Sequence, residues 1–207
     1  MVTTAESLRG AIDALILAEP KFADVVGRVG YPESRQRPTG YDTLLRTIIG
    51  QQVSVKAAAS IWTKLEAGLG DLTRPETILA SDEQTLRSFG LSRQKQSYAL
   101  SLARLVADGA LDLHHLPKDD EEAIALLTQV KGIGRWSAEI YLLFAEGRAD
   151  IWPAGDLAVQ EGVKRILLLE ERPTEKPTRE LAENWRPHRG AAAIFTWHYY
   201  ATGFEAI

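Results

Sequence analysis

Apolar residues recur along this chain at intervals of three and four, the period of a helix with one buried face. The alternation of a half-buried strand is nearly absent. AESLRGAIDALILA over 5–18 opens the series behind a T-x-x-E box of Thr3 and Glu6. YDTLLRTIIG follows over 41–50, and then SVKAAASIWTKLEA over 54–67 with Ser54 as its cap. Ser81 and Gln84 form a box for SDEQTLRSFG, and Gly90 stops it. A clear apolar stripe runs from Ser92 to Gly109, and Asp119 with Glu122 boxes the helix EEAIALLTQV. RWSAEIYLLFAEG comes next, then a helix behind Asp156, then TRELAENW and GAAAIFTWHYYATG. Loops are short except over 28–40 and 171–178, two Pro-rich stretches that read as crossings between domains. The pattern predicts an all-α protein of about ten helices, without internal repeats.

Composition narrows the picture. The 207 residues suffice for one large or two small domains, and 45% hydrophobic with 25% charged residues is ordinary for a soluble protein. No stretch is apolar for long enough to span a membrane, and the N-terminus lacks the pattern of a signal peptide. The chain contains no cysteine, which excludes disulfides, cysteine-ligated zinc and an iron–sulfur cluster. The four histidines lack metal-ligand spacing, so the default is a cytoplasmic protein without a transition metal. The net charge of −4 argues mildly against bulk nucleic-acid binding, although local charge matters more than the sum.

The stretch VKGIGRWSAEIYLL, over 130–143, stops one helix and starts another at a Gly-Ile-Gly turn. Gly132 and Gly134 permit backbone conformations closed to other residues. The N–H groups that open the second helix have no partners within it, and the helix dipole adds positive charge there. Such a turn suits a phosphate, with Lys131 and Arg135 adding charge. The residues alone leave a second reading open, a plain αα-hairpin with glycine caps.

The turn in its context, LTQVKGIGRWSAEIYLLFA, resembles the helix-hairpin-helix motif of the DNA glycosylase superfamily. IWPAGDLAV supplies Asp156 where that superfamily carries an essential aspartate, and IIGQQVSVKAAASI resembles its signature helix start. ENWRPHRGAAAIFTW resembles the W-x-P-x-R segment of the 3-methyladenine DNA glycosylase II branch. The three motifs stand in the family's order from about residue 41 to 200. Two departures stand out. Lys131 replaces the usual proline, and only a short segment precedes the first signature helix, as in a compact form without the β-rich domain of larger relatives.

The resemblance implies roles residue by residue. Asp156 would stabilise the positive charge that develops on the sugar and orient or deprotonate the attacking water. By its position alone it is an N-cap, and both readings can hold. Trp136 stands where bifunctional relatives carry a nucleophilic lysine, and an indole cannot form a Schiff base. The implied enzyme therefore leaves an abasic site with intact strands. Trp136 and Trp185, with Trp152 as a third, would line an aromatic pocket for a cationic base. Ile140 falls where the branch often has an aromatic residue. Trp62, Trp197, Tyr199 and Tyr200 read as core.

Gln52 would fill the gap left by a flipped base, and Gln51 would touch the pocket or the DNA backbone. Lys131, Gly132, Gly134 and Arg135 would hold phosphate, while Arg189 reads as a phosphate neighbour or as a structural residue. The carbonyls of Thr128, Val130 and Ile133 match those that coordinate sodium or potassium in the family. No other cofactor is implied.

The expected fold is all-α, with two helical domains and a central cleft for DNA and the extruded base. Residues 39–150 would form one domain, carrying the helix-hairpin-helix over about 121–147. Residues 1–38 and 151–207 would form the other, with Asp156 at the junction. The expected function is excision of alkylated bases, of the 3-methyladenine and 7-methylguanine type, from double-stranded DNA by a cytoplasmic monomer. Rivals are a glycosylase for uracil, hypoxanthine or a mismatch, and a DNA-binding module without chemistry.

Overall fold

The computed structural model describes residues 4–202. Among these residues the chain is all-α, with no strand. The N-terminal helix α1 (Ala5–Ala18) is capped by Thr4, whose side chain and that of Ser7 bond each other's backbone N–H. The anticipated Thr3 lies outside the described residues, and the reciprocal box forms with Thr4 and Ser7.

Helix α2 (Lys21–Val29) occupies a stretch not anticipated as helical. Pro20 precedes it and Gly27 interrupts it, both marks of a loop, yet Phe22 and Val25 are buried along it. Next come α3 (Tyr41–Gly50), α4 (Val55–Leu69), α5 (Pro75–Leu79) and α6 (Glu83–Ser88). Ser54 caps α4 as expected. The cap of α6 is Asp82, which bonds both the N–H and the hydroxyl of Thr85, in place of the anticipated Ser81 and Gln84. Two adjacent residues able to cap make such one-residue shifts easy. The series continues with α7 (Arg93–Ala107), α8 (Asp120–Leu127), α9 (Arg135–Phe144), α10 (Leu157–Leu167), α11 (Glu175–Leu181) and α12 (Arg189–Ala201). A 3-10 turn, Glu183–Trp185, precedes α12, and α11 begins inside the segment expected to be a loop.

The residues sort into two compact units, one of segments up to Gln36 and from Glu139 onward, the other Arg37–Ala138. In the Arg37–Ala138 unit, α7 packs against α3, α5 and α6. Leu44, Leu45, Ile48, Ile78, Leu86 and Leu102 are fully buried there, each contributing about 1.5–3 kcal/mol from its removal from water. In the other unit, α12 packs on α10 and α1, while Phe22 meets the edge of Trp185 and lies 5.7 Å from Phe195. A Cβ on Gly162 of α10 would lie 2.8 Å from that of Thr196 on α12, so a hydrogen in place of a side chain is what lets these helices approach.

Candidate active site

The approach of α10 to α12 matters because α10 starts at Asp156. Oδ1 of Asp156 accepts the N–H groups of Ala158 (2.8 Å) and Val159 (3.0 Å). It also accepts the indole Nε1–H of Trp197 on α12, at 3.1 Å. The cap fixes the carboxylate to its own helix, and the indole fixes it to a second one. The ring of Trp197 is half-buried and stacks on Phe144, with centroids 5.6 Å apart.

The segment before Asp156 is held as firmly. The Trp152 indole donates to the Thr178 carbonyl at 3.0 Å, and buried Gln160 donates to the Ala154 carbonyl at 2.8 Å. Arg179 reaches the Trp152 carbonyl at 3.4 Å and pairs with buried Glu139 at 3.5 Å. These bonds anchor the loop at Trp152 and Ala154, just ahead of the carboxylate.

Two expected pocket residues belong to the packing instead, and Arg189 takes the structural one of its two readings. Trp152 and Trp185 are 3% and 2% exposed, edge to face with each other at 5.5 Å, so neither offers a face to a base. Arg189 is 7% exposed and grips Asp150 with two bonds of 2.9 and 2.8 Å, with Glu183 as a second partner at 2.9 Å. This buried arginine is structural. Ile140 is half-buried on α9. Trp197, read from the sequence as core, is the tryptophan beside the carboxylate. No local pattern could have singled it out, because the bond joins residues 41 positions apart.

The other unit carries the Gly-Ile-Gly turn. Gly132 has φ 82°, a conformation that favours glycine, whereas Gly134 does not use that region. A Cβ on Gly132 would lie 2.1 Å from the ring of Tyr98, so glycine is needed there for space as well. Lys131 is exposed, and Arg135 forms a two-pronged pair with Glu121 at 2.8 and 2.5 Å. Trp136 is 48% exposed, the most open tryptophan face among the candidates. Beneath the turn, Val130 and Ile133 are buried, and the Val130 carbonyl accepts the Ile133 N–H at 3.0 Å.

Gln51 does not project freely. Its side-chain amide donates to the Gly132 carbonyl at 2.8 Å. Gln52 beside it is exposed and holds φ 56°, an uncommon left-handed conformation for a residue other than glycine. Among the described residues, no group of three or more His, Cys, Asp or Glu could hold a metal ion.

The model of the HhH-GPD superfamily of base excision DNA repair proteins matches residues 45–187. The chain belongs to this superfamily. DNA-3-methyladenine glycosylase 1 of Schizosaccharomyces pombe is 31% identical over 86% of this chain and 79% of its own length. The structure of that enzyme with abasic DNA aligns with a TM-score of 0.75 at 29% identity, covering 95% of this chain and 98% of that one. A DNA-3-methyladenine glycosidase of Bacillus halodurans aligns with a TM-score of 0.85 at 27% identity, over 95% of this chain and 91% of the other. The chain spans only 58% of a Bacillus subtilis relative that carries a DNA-3-methyladenine glycosylase name, at 28% identity over 76% of this chain. In this HhH-GPD protein the second residue after the turn is the indole of Trp136, which has no amine with which to form a Schiff base.

Proposed function

We propose that this protein is a monofunctional DNA glycosylase that hydrolyses the bond between deoxyribose and an alkylated base. The observation that carries the reading is the Asp156 carboxylate, fixed by Ala158, Val159 and the indole of Trp197. The names of the relatives point to the same class of base. As the C1′–N bond breaks, positive charge develops on the sugar, and a carboxylate held in place stabilises it without having to reorganise. Water then bonds to C1′ and passes a proton to the carboxylate or to solvent. The base leaves with the bonding electrons, which neutralise the charge carried by an N3- or N7-alkylated purine. Such a base needs little acid assistance. An indole such as that of Trp197, bonded to the carboxylate itself, would favour it, because electron-rich rings attract a cation.

Gln52 is the wedge, and the turn from Lys131 to Arg135 holds the DNA backbone. The neutral carbonyls of Thr128, Val130 and Ile133 suit a hard monovalent cation, whose charge would help seat a phosphate. The protein acts as a cytoplasmic monomer on double-stranded DNA.

The test is base release from dimethyl-sulfate-treated duplex DNA, comparing the wild type with Asp156→Asn. Asparagine still caps a helix, so α10 survives while the charge is lost. The expected result is methylpurine release by the wild type, with strands intact until alkali is added, and a fall of at least about 100-fold in the variant. Equal release by both proteins would remove Asp156 from the chemistry. Release of uracil or hypoxanthine, and not methylpurine, from appropriate duplexes would reassign the lesion. DNA binding without release of any base would leave a binding module.

A further inference from the structure

Helix α7 touches both segments that the proposed function assigns to DNA. Lys95, Tyr98 and Ser101 are spaced three apart and so share one face of the helix. Lys95 Nζ donates to the Ile49 carbonyl at 2.6 Å, at the end of α3 and two residues before Gln51. Carbonyls at a helix C-terminus lack intrahelical partners and attract a cation. Burial pushes the Lys95 amine below its ordinary value, the mark of an amine drawn out of water. Tyr98 fills the space above Gly132 that any Cβ would need. Ser101 Oγ accepts the Lys131 N–H at 3.1 Å. The bond from Gln51 to the Gly132 carbonyl then closes the set, tying the two segments directly across 81 positions of sequence.

We propose that Gln51, Lys95, Tyr98 and Ser101 are positioning residues that hold the wedge segment and the hairpin in register, and so control extrusion of the base without touching the reacting atoms. The inference rests on the reading of Gln52 as wedge and of Lys131 to Arg135 as backbone grip. A wedge works only if the backbone it pushes against is held at a fixed distance. Gln52, in its uncommon conformation, depends on neighbours that over-determine it. Lys95 and Gln51 constrain the chain on one side of it, and Tyr98 and Ser101 constrain the hairpin opposite.

The variants are Lys95→Met, which keeps length and loses the donor to the Ile49 carbonyl, and Ser101→Ala. Neither removes a fully buried side chain, and thermal melting checks that each folds. Excision is measured on methylated duplex and on methylated single-stranded DNA, which needs no extrusion from a pair. A second arm follows the fluorescence of 2-aminopurine placed beside an abasic analogue in a duplex, which reads unstacking independently of chemistry. The expected result is a fall of about three- to tenfold in duplex excision and in the fluorescence response, with the single-strand rate and melting temperature unchanged.

Equal losses on both substrates would mean a general structural role and overturn the proposal, as would variants that match the wild type in both arms. A wild type that raises the fluorescence but releases no base sinks the glycosylase reading alone, and the proposal then stands or falls on whether the variants lose that response. A wild type that does neither overturns both.

Discussion

Replacing Trp197 by phenylalanine removes one hydrogen-bond donor and little else. The ring that stacks on Phe144 at 5.6 Å is kept in kind, and α12 keeps an aromatic residue at that position. What disappears is the 3.1 Å bond to Asp156 Oδ1. A hydrogen bond to a charged group contributes about 1.5–3 kcal/mol, and each 1.4 kcal/mol or so is about tenfold in rate. The two backbone donors, Ala158 and Val159, remain and still hold the carboxylate to α10. The loss therefore belongs at the lower end, about tenfold in the rate of base release, with a smaller addition if the indole also faces a cationic base. The assay is single-turnover release of methylpurines with enzyme in excess over DNA, so that binding and product release do not enter. Affinity for an abasic duplex and the melting temperature should stay close to wild type. A Trp197→Phe variant whose rate is within about twofold of wild type would refute the claim that the indole positions Asp156. A variant with full rate but a much lower melting temperature would show that Trp197 serves packing instead.

Two further outcomes test the frame around the site. Arg189→Met should destabilise the protein by about 3 kcal/mol in urea unfolding, because Asp150, only 18% exposed, would be left with Arg186 as its remaining cationic partner; an unchanged unfolding midpoint would return Arg189 to the surface. Asp82 caps α6, and its bonds to the backbone N–H and then the hydroxyl of Thr85 hold its carboxyl below the usual carboxylate range. A group whose pKa is depressed by folding contributes stability above its unfolded pKa and loses it as pH falls through the folded one. Asp82→Ala should therefore be less stable than wild type at neutral pH, with the gap narrowing in acid, and a gap that widens on acidification would contradict the cap.

Much of the frame could be read from the chain because helices announce themselves locally. Ser54, Ser92, Asp119 and Asp156 all cap where a short polar residue precedes an apolar stripe. Local signals failed where tertiary burial overrode them. The pattern gave no helix between residues 19 and 27, but Phe22 and Val25 have a core to enter and α2 forms there. Two of the tryptophans expected in the pocket, Trp152 and Trp185, are buried for a related reason. Periodicity says which side of a helix is apolar, not which indole meets a distant carboxylate. Trp185 and Trp152 satisfied each other edge to face, and the bond to Asp156 fell to Trp197. The Gly-Ile-Gly turn was legible as a turn. That Tyr98 presses on Gly132, and that Gln51 bonds its carbonyl, depends on where α7 lies, and no short window of sequence contains that.

The ion pairs of Arg135 with Glu121 and of Arg189 with Asp150 bear on how the protein would search DNA. A lysine or arginine that neutralises a phosphate releases a condensed counterion, and that release is what makes most DNA affinity fall steeply with salt. Here one arginine beside the hairpin and one of the family's C-terminal segment already spend their charge on carboxylates of the same chain. Arg135 could turn to a phosphate only by releasing Glu121, so its contact with DNA would add less affinity and less salt dependence than that of the exposed Lys131 beside it.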